Sequence, residues 1–245
     1  MLIDTHCHLH DRDFFSDAQA KEFLDEAKNK GVEKIICIGT DIKDSLRAKD
    51  FAEKHENVYY TFGVHPENNE KSTNFSEILP KNDKKLVAIG EVGLDYHGEE
   101  YNRETQIKLV NEMLQLAQDN DLPLSFHVRE AFSDFFPIIA NFPKIRGVVH
   151  SFTDNKKVLK RILTETDFYI GVNGLATYST LPMPPLERIL LETDAPFLTP
   201  KPFRGIINRS GYVREIAEWL SDKLALEFGI VEKETTKNAR ELFHI

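Results

Sequence analysis

The sequence predicts an α/β fold, a single (β/α)8 TIM barrel in which parallel strands alternate with helices. The chain has 245 residues, which is a usual length for one such domain, so residues 1–245 are expected to form one unit. Short β-rich segments alternate with longer amphipathic segments from end to end, and no linker or low-complexity block divides them. Strand–helix repeats of this kind indicate parallel pairing and favour a closed barrel over an open doubly wound sheet.

The elements follow one another along the chain. Eight short segments have the composition of strands: Leu2–Leu9, Lys34–Thr40, Val58–His65, Leu86–Leu94, Leu124–Val128, Gly147–Phe152, Phe168–Asn173 and Arg188–Thr193. Apolar residues three and four positions apart predict helices between them: Asp17–Lys30, Lys43–Glu56, Arg103–Asn120 and Asn155–Leu163. Three prolines interrupt Leu175–Pro185, so the seventh crossover is expected to be slightly shortened.

Composition excludes several classes of protein. Lys and Arg number 31 against 40 Asp and Glu, and a net charge of −9 argues against phosphate binding by bulk positive charge. Cys7 and Cys37 form no repeated spacing, which excludes a disulfide framework or a Cys-rich zinc site and favours a reducing compartment. No segment approaches the ~18 apolar residues of a membrane span, and no signal peptide begins the chain. We therefore expect a soluble, cytoplasmic protein without a membrane partner.

Histidines and carboxylates cluster at the ends of the predicted strands. Five of the nine histidines lie where an apolar run gives way to polar residues: His6, His8, His65, His127 and His150. Glu91 and Asp194 end apolar runs in the same way. Because the C-terminal ends of the strands form one rim of a barrel, these side chains are expected to meet in one pocket.

The spacing within the first strand points to a shared ion. His6 and His8 are two residues apart, so in a strand they project from the same face. Asp4 has the same parity and is expected to support them from below. A carboxylate rooted in a buried strand is costly unless a cation or metal pairs with it. Arg129 or Lys201 could serve one of the two carboxylates, but the histidines would then have no role.

Imidazole and carboxylate together suit Zn, Mn, Fe or Ni, and Mg where water completes the coordination. A bridging carboxylate such as Glu91 could hold two divalent ions about 3.5–4 Å apart, as in two-metal hydrolysis. The sequence has no G-x-S-x-G, P-loop or G-x-G-x-x-G motif, and neither cysteine has a flanking nucleophile motif. A metal-activated water is therefore the available nucleophile.

A series of short motifs runs in order along nearly the whole chain: Ile3–Leu9, Gly63–Pro66, Gly90–Tyr96, Arg103 with Gln106, His127–Arg129, His150–Phe152, Glu192–Pro196, Arg204–Gly205 and Asn238–Phe243. Taken together, they resemble the TatD-like metal-dependent deoxyribonucleases, a family of amidohydrolase-like TIM barrels. The chain departs from the family pattern at Asn208-Arg209-Ser210, where family members usually have Asn followed by Glu-Pro. Contacts at the edge of the substrate site are expected to differ there.

The resemblance implies a binuclear centre whose ligands divide between two ions: His6, His8 and Asp194 on one, His127 and His150 on the other, with Glu91 bridging. It also implies three catalytic residues, of which Asp194 takes the proton from the attacking water, Glu91 bridges and His65 orients a phosphate. The implied reaction is hydrolysis of DNA phosphodiester bonds, often as a 3′–5′ exonuclease. The implied partner is DNA, single-stranded or at 3′ ends, and no obligate protein partner is evident.

Candidate substrate contacts are His65, Arg129, Arg204 and Asn208. A basic segment beside the last strand could add phosphate contacts: Lys201, Arg204, Arg209 and Arg214. Phe132, Phe135 and Phe136 could stack bases, although their helical spacing favours a place in the core. Two alternatives remain: the same metal centre acting on a small-molecule ester, phosphoester or amide, and a non-enzymatic metal-binding relative.

Overall fold

The computed structural model describes residues 1–68, 74–98 and 101–245. The predicted (β/α)8 barrel is confirmed: eight strands pair in parallel and in sequence order within one sheet. They are β1 Leu2–Cys7, β2 Val32–Cys37, β3 Val58–Phe62, β4 Leu86–Asp95, β5 Leu124–Arg129, β6 Gly147–Val149, β7 Tyr169–Val172 and β8 Ile189–Leu191. Several strands end earlier than predicted. The polar residues predicted at their C-terminal ends therefore lie in the loops of the C-terminal rim.

Hydrogen bonds between β1 and the residues after β8 close the sheet. The backbone N of Asp194 donates to the His6 carbonyl at 2.8 Å, and the backbone N of His8 donates to the Ala195 carbonyl at 2.7 Å. Asp194 itself has a left-handed backbone, with φ 57°, a conformation that aspartate adopts more readily than most residues. Barrel closure therefore fixes the positions of His6, His8 and Asp194 relative to one another.

The expected role of Asp4 is wrong. The pairing of β1 with β2 is irregular between Asp4 and Cys7, the stretch that contains His6. The buried Asp4 carboxylate accepts hydrogen bonds from the Thr193 backbone N at 2.9 Å and from Thr193 Oγ1 at 2.7 Å. Asp4 therefore fastens β1 to the end of β8 instead of supporting the histidine rings.

Helices cover the outside of the sheet: α1 Asp17–Asn29, α2 Ile42–Lys54, α3 Phe75–Ile78, α4 Arg103–Asn120, α5 Phe132–Ile139, α6 Lys156–Glu165, α7 Val213–Leu224 and α8 Phe228–Phe243. The four predicted helices correspond to α1, α2, α4 and α6 within two residues at each end. Side chains of Ser16, Asp41, Asn102 and Asn155 cap these helices by accepting hydrogen bonds from the first turn. None of the helices in the described ranges is long and apolar enough to cross a membrane.

The seventh crossover is short, as expected. It contains only two 3₁₀ turns among its regular elements, Gly174–Thr177 and Leu186–Arg188. The prolines explain this, because proline lacks the N–H that a continuing helix requires.

Two groups of apolar residues form the core. The larger packs the strands against the helices and includes Phe132, Phe135 and Phe136, so these rings belong to the core, as their spacing favoured. The smaller joins the end of α8 to side chains from β1, β2, β4, β6 and β8. Because these strands are not all neighbours, the side chains can meet only inside the barrel.

The path of β4 accommodates Glu91. Pairing of β4 with β5 is irregular between Ile89 and Val92, the stretch that contains Glu91. Just beyond it, a Cβ on Gly93 would lie 1.9 Å from the His127 carbonyl oxygen. Glycine at position 93 therefore allows the backbone of β5 to approach β4 closely beside the buried carboxylate, as the glycines flanking Glu91 suggested.

Gly93→Ala should lower the free energy of unfolding by about 1–3 kcal/mol, because the added methyl group collides with backbone rather than with a movable side chain. Urea unfolding of the metal-free protein measures this change. Gly229→Ala is the matched control, since no atom lies within 4 Å of its added Cβ and the residue is in a helix. We expect the control to be neutral or stabilising; equal losses in the two variants would contradict the steric explanation.

Candidate metal centre

Glu91 lies at the centre of a cluster of imidazoles. Its Oε2 lies 3.3 Å from His6 Nε2. Its Oε1 lies 2.8 Å from His127 Nδ1, 3.6 Å from His65 Nε2 and 3.7 Å from His150 Nε2. One oxygen of the carboxylate thus faces His6 and the other faces His65, His127 and His150, which is an arrangement that suits a bridging ligand.

Asp194 lies beside the first group. Its Oδ1 is 3.4 Å from His8 Nε2 and 3.6 Å from His6 Nε2. Its side chain is 13% exposed, whereas that of Glu91 is 5% exposed. The structure therefore brings together all six predicted ligands and His65, and Asp194 is the more accessible of the two central carboxylates.

The second nitrogen of three rings has its own neighbour. His8 Nδ1 lies 3.1 Å from the Ile38 carbonyl, and His6 Nδ1 lies 3.4 Å from Ser125 Oγ. His150 Nδ1 lies 3.0 Å from Glu192 Oε1. Each neighbour orients its ring so that Nε2 points toward the central carboxylates, as the outer partners of metal-binding histidines do.

His127 is held from both sides. Its Nδ1 faces Glu91, and its Nε2 lies 2.8 Å from Asp95 Oδ2. Asp95 is buried and also accepts a hydrogen bond from the backbone N of His97 at 2.8 Å. Asp95 therefore sets the orientation of the His127 ring.

The charges of the site depend on one another. Burial alone would raise the pKa of the Glu91 carboxyl, but His150, His65 and His6 hold it well below its ordinary value. Burial opposes charge on His150, yet Glu192 and Glu91 raise the pKa of His150 to about 10. Burial lowers the pKa of the His65 ring to about 4. The buried carboxylates of Glu91 and Glu192 thus favour positive charge on the neighbouring histidines.

The donor set fits divalent ions. His6 Nε2 is buried and makes no hydrogen bond, although it points between Glu91 and Asp194. Ligand atoms of His6, His8 and Glu91 lie within 4.8 Å of one another, as do those of His65, Glu91 and His127. Nitrogen and carboxylate oxygen in these proportions suit Zn, Mn, Fe or Ni.

Sequence reasoning did not identify the roles of Glu192 and Asp95. Glu192 Oε1 accepts a hydrogen bond from the Ser151 backbone N at 2.7 Å and lies beside His150. A Cβ on Gly171 would lie 2.3 Å from Glu192 Oε2, so glycine leaves the space that this carboxylate fills. Both acids end buried strands, and the argument that a buried carboxylate needs a partner applies to them as it does to Glu91.

The predicted substrate contacts have different outcomes. His65 lines the central cavity, while Arg129 is exposed at the end of β5. The guanidinium of Arg204 lies over the ring of Tyr178, with 5.6 Å to the centroid. The expectation for Asn208 is wrong: its side chain is fully buried, and its amide donates to the carbonyls of Thr193, at 2.8 Å, and Phe197. Asn208 holds the loop that carries Asp194.

The predicted basic segment is also divided. Lys201, like Arg204, lies over the Tyr178 ring. Arg209 pairs with Glu26 at 2.9 Å, and Arg214 pairs with Glu218 at 2.9 Å. The segment is therefore not one continuous surface for phosphates.

An open cavity of about 340 Å³ leads to the cluster. His8, His65, Glu91 and Asp194 contribute to its lining, together with further acidic and aromatic residues. No lysine or arginine lines it within the described part of the chain. The cavity therefore offers a phosphate no lysine or arginine among its described residues.

Comparison with known proteins identifies similar chains. Residues 3–244 match the family model described as TatD related DNase. The chain is 33% identical to the uncharacterized metal-dependent hydrolase YabD of Bacillus subtilis, over 100% of both. The structure of YjjV, a TatD homologue of Escherichia coli, has a TM-score of 0.91 and 29% identity, covering 100% of this chain and 98% of that one. A TatD-family hydrolase of Entamoeba histolytica has a TM-score of 0.90 and 25% identity, covering 99% and 97%.

Glu192→Gln should weaken divalent-ion binding by about 10–100-fold, because the amide no longer holds the His150 ring as an anion does. Calorimetric titration with Mn²⁺ or Zn²⁺ measures the affinity. Glu187→Gln is the matched control, since Glu187 is exposed in the turn before β8. Unchanged affinity in a folded Glu192→Gln variant would contradict the positioning role of Glu192.

Proposed function

The chain belongs to the TatD-related DNase family, and on that basis we propose that this metal-dependent hydrolase cleaves DNA phosphodiester bonds at a two-metal centre. The main observation in support of the proposal is that different histidine rings lie next to the two carboxylate oxygens of Glu91. A single ion would leave one of these groups without a function. Two ions held by one carboxylate match the pattern used for in-line displacement at phosphorus.

The ligands divide as the family pattern implies. His6, His8 and Asp194 would hold one ion, and His127 and His150 would hold the other, with Glu91 shared by both. Divalent ions at these positions lower the pKa of a water molecule and offset the charge of the phosphate.

Asp194 accepts the proton of the attacking water. It is suited to this role because it is more exposed to the cavity than Glu91 and sits against the Nε2 atoms of His6 and His8. His65 lies at the edge of the same cavity, where its uncharged ring can orient a phosphate oxygen or extend the second ligand group.

The substrate is proposed to be DNA at its 3′ end, bound as a single strand. The family description supports DNA, and the resemblance seen in the sequence implied its 3′ end. The cavity agrees in one respect: it is open rather than enclosed, so a chain can enter and leave. With no lysine or arginine among its described lining residues, recognition of phosphate is proposed to rely mainly on the bound ions. Binding is therefore expected to involve few ionic contacts with the protein itself.

Asp194→Asn should fold and lose at least about 100-fold in kcat on DNA, because the amide cannot accept a proton and is a poorer ligand. Glu91→Gln should behave similarly. Steady-state rates at saturating metal and circular dichroism measure activity and folding. Asp167→Asn, on the loop before β7, serves as a control that should keep full activity. Near wild-type turnover in either site variant would disprove the role assigned to that residue.

The purified protein should contain about two divalent ions per chain and should shorten a 5′-labelled single strand from its 3′ end. A blocked 3′ end should stop the reaction, and the salt dependence should be shallower than for proteins with 6–10 phosphate contacts. Metal analysis and gel assays test these points. Parallel assays use methyl 4-nitrophenyl phosphate and a panel of esters and amides. Turnover of small substrates without cleavage of DNA would favour a small-molecule hydrolase.

A further inference from the structure

Two phenylalanine rings stand at the mouth of the cavity. Phe14 and Phe197 are each 45% exposed and meet edge to face, with 5.2 Å between ring centroids. Both line the cavity that contains Glu91 and Asp194. We propose that this pair, the aromatic platform, binds the base of the nucleotide adjacent to the scissile phosphate, a role that rests on the proposed action on DNA.

These rings are exceptional in this protein. The chain has 17 phenylalanines, and only Phe14 and Phe197 among them are exposed. The neighbouring Phe15 is buried and packs against Phe23 at 5.5 Å, which anchors the turn and directs Phe14 outward. Exposed aromatic surface that adjoins a polar pocket is typical of a ligand site rather than of a core.

The backbone holds the aromatic platform close to the candidate metal ligands. The backbone N of Phe197 donates to the Asp194 carbonyl at 2.8 Å, so the two residues share one tight turn. The ring centroids of Phe197 and His8 are 6.3 Å apart, and His8 Nε2 lies 3.4 Å from Asp194 Oδ1. Phe197 thus lies beside the His8 ring and next to Asp194, where a base could stack while its neighbouring phosphate is held at the centre.

Base stacking would also provide affinity for a strand where the described cavity lining has no lysine or arginine. Neither of these residues can therefore hold the strand by ion pairs in this region. Every nucleobase has an aromatic face, and stacking on phenylalanine tolerates any sequence. The platform would therefore give affinity for DNA without sequence preference, which matches removal of successive nucleotides.

The platform is tested with two oligonucleotides, one normal and one whose 3′-terminal nucleotides are abasic. The wild-type protein should cleave the normal strand with a kcat/KM about 10-fold or more above that of the abasic strand, mainly through KM. Phe197→Ala and Phe14→Ala should reduce this ratio toward one, and Phe197→Tyr should restore it. Ile230→Ala, which removes an exposed apolar side chain on α8, should leave the ratio unchanged.

A binding measurement separates failure of the platform from failure of the proposed function. In the metal-loaded protein, thymidine 5′-monophosphate should bind about 10-fold more tightly than deoxyribose 5-phosphate, and Phe197→Ala should remove that difference. If DNA is not cleaved but this difference holds, the platform stands and the proposed function fails. If DNA is cleaved and the base makes no difference, or if Phe197→Ala weakens both ligands equally, the platform is overturned.

Discussion

A carboxylate buried among imidazoles is the constraint on which the rest of the structure depends. Glu91 is 5% exposed, and an anion placed so deeply is unfavourable unless positive charge or ligated metal surrounds it. Four histidine rings lie within 3.7 Å of it, and they come from β1, β5 and the segments after β3 and β6. One strand presents only alternate residues to the interior, so several strands must converge on the carboxylate. A closed barrel provides that convergence, which links the fold to the chemistry of one side chain.

The same constraint extends into the backbone. Glu192 can hold the corner after His150 only because Gly171 leaves room for its carboxylate. Asp194 reaches the cluster from a left-handed turn, and the buried Asn208 holds the carbonyls on either side of that turn. Residues that never enter the cavity therefore decide where the central groups lie. Their contribution is rigidity, since a loosely held ligand would lose affinity for an ion that needs several donors at once.

The barrel and the clustering of the six central residues could be predicted from the sequence. Strand periodicity and a position at a strand end are local patterns, and in a barrel all the C-terminal strand ends meet at one rim. The sequence was insufficient where the backbone departs from regular alternation. The pairing of β1 is irregular after Asp4, and the Asp4 carboxylate accepts hydrogen bonds from Thr193 after the last strand of the barrel sheet, which no local pattern reveals. The sequence also could not show that the basic residues after β8 have different surroundings: Arg209 pairs with Glu26 on α1, far away in sequence. Partners of surface charges depend on tertiary packing, which a single sequence does not encode in any short motif.

In the proposed function an acidic protein acts on an acidic polymer, and the charges of the cavity bear on how this could occur. The chain has a net charge of −9, and its cavity has carboxylates but no described lysine or arginine in its lining. These carboxylates repel phosphate in the absence of metal and bind the ions that attract it, so in the proposed function substrate binding is conditional on a loaded centre. A basic cavity would bind DNA whether or not the centre could cleave it. Uncharged rings at the cavity mouth add affinity without removing this condition, because stacking does not depend on charge. In the proposed function, aromatic rather than basic residues beside the centre would therefore couple DNA binding to the presence of the catalytic ions.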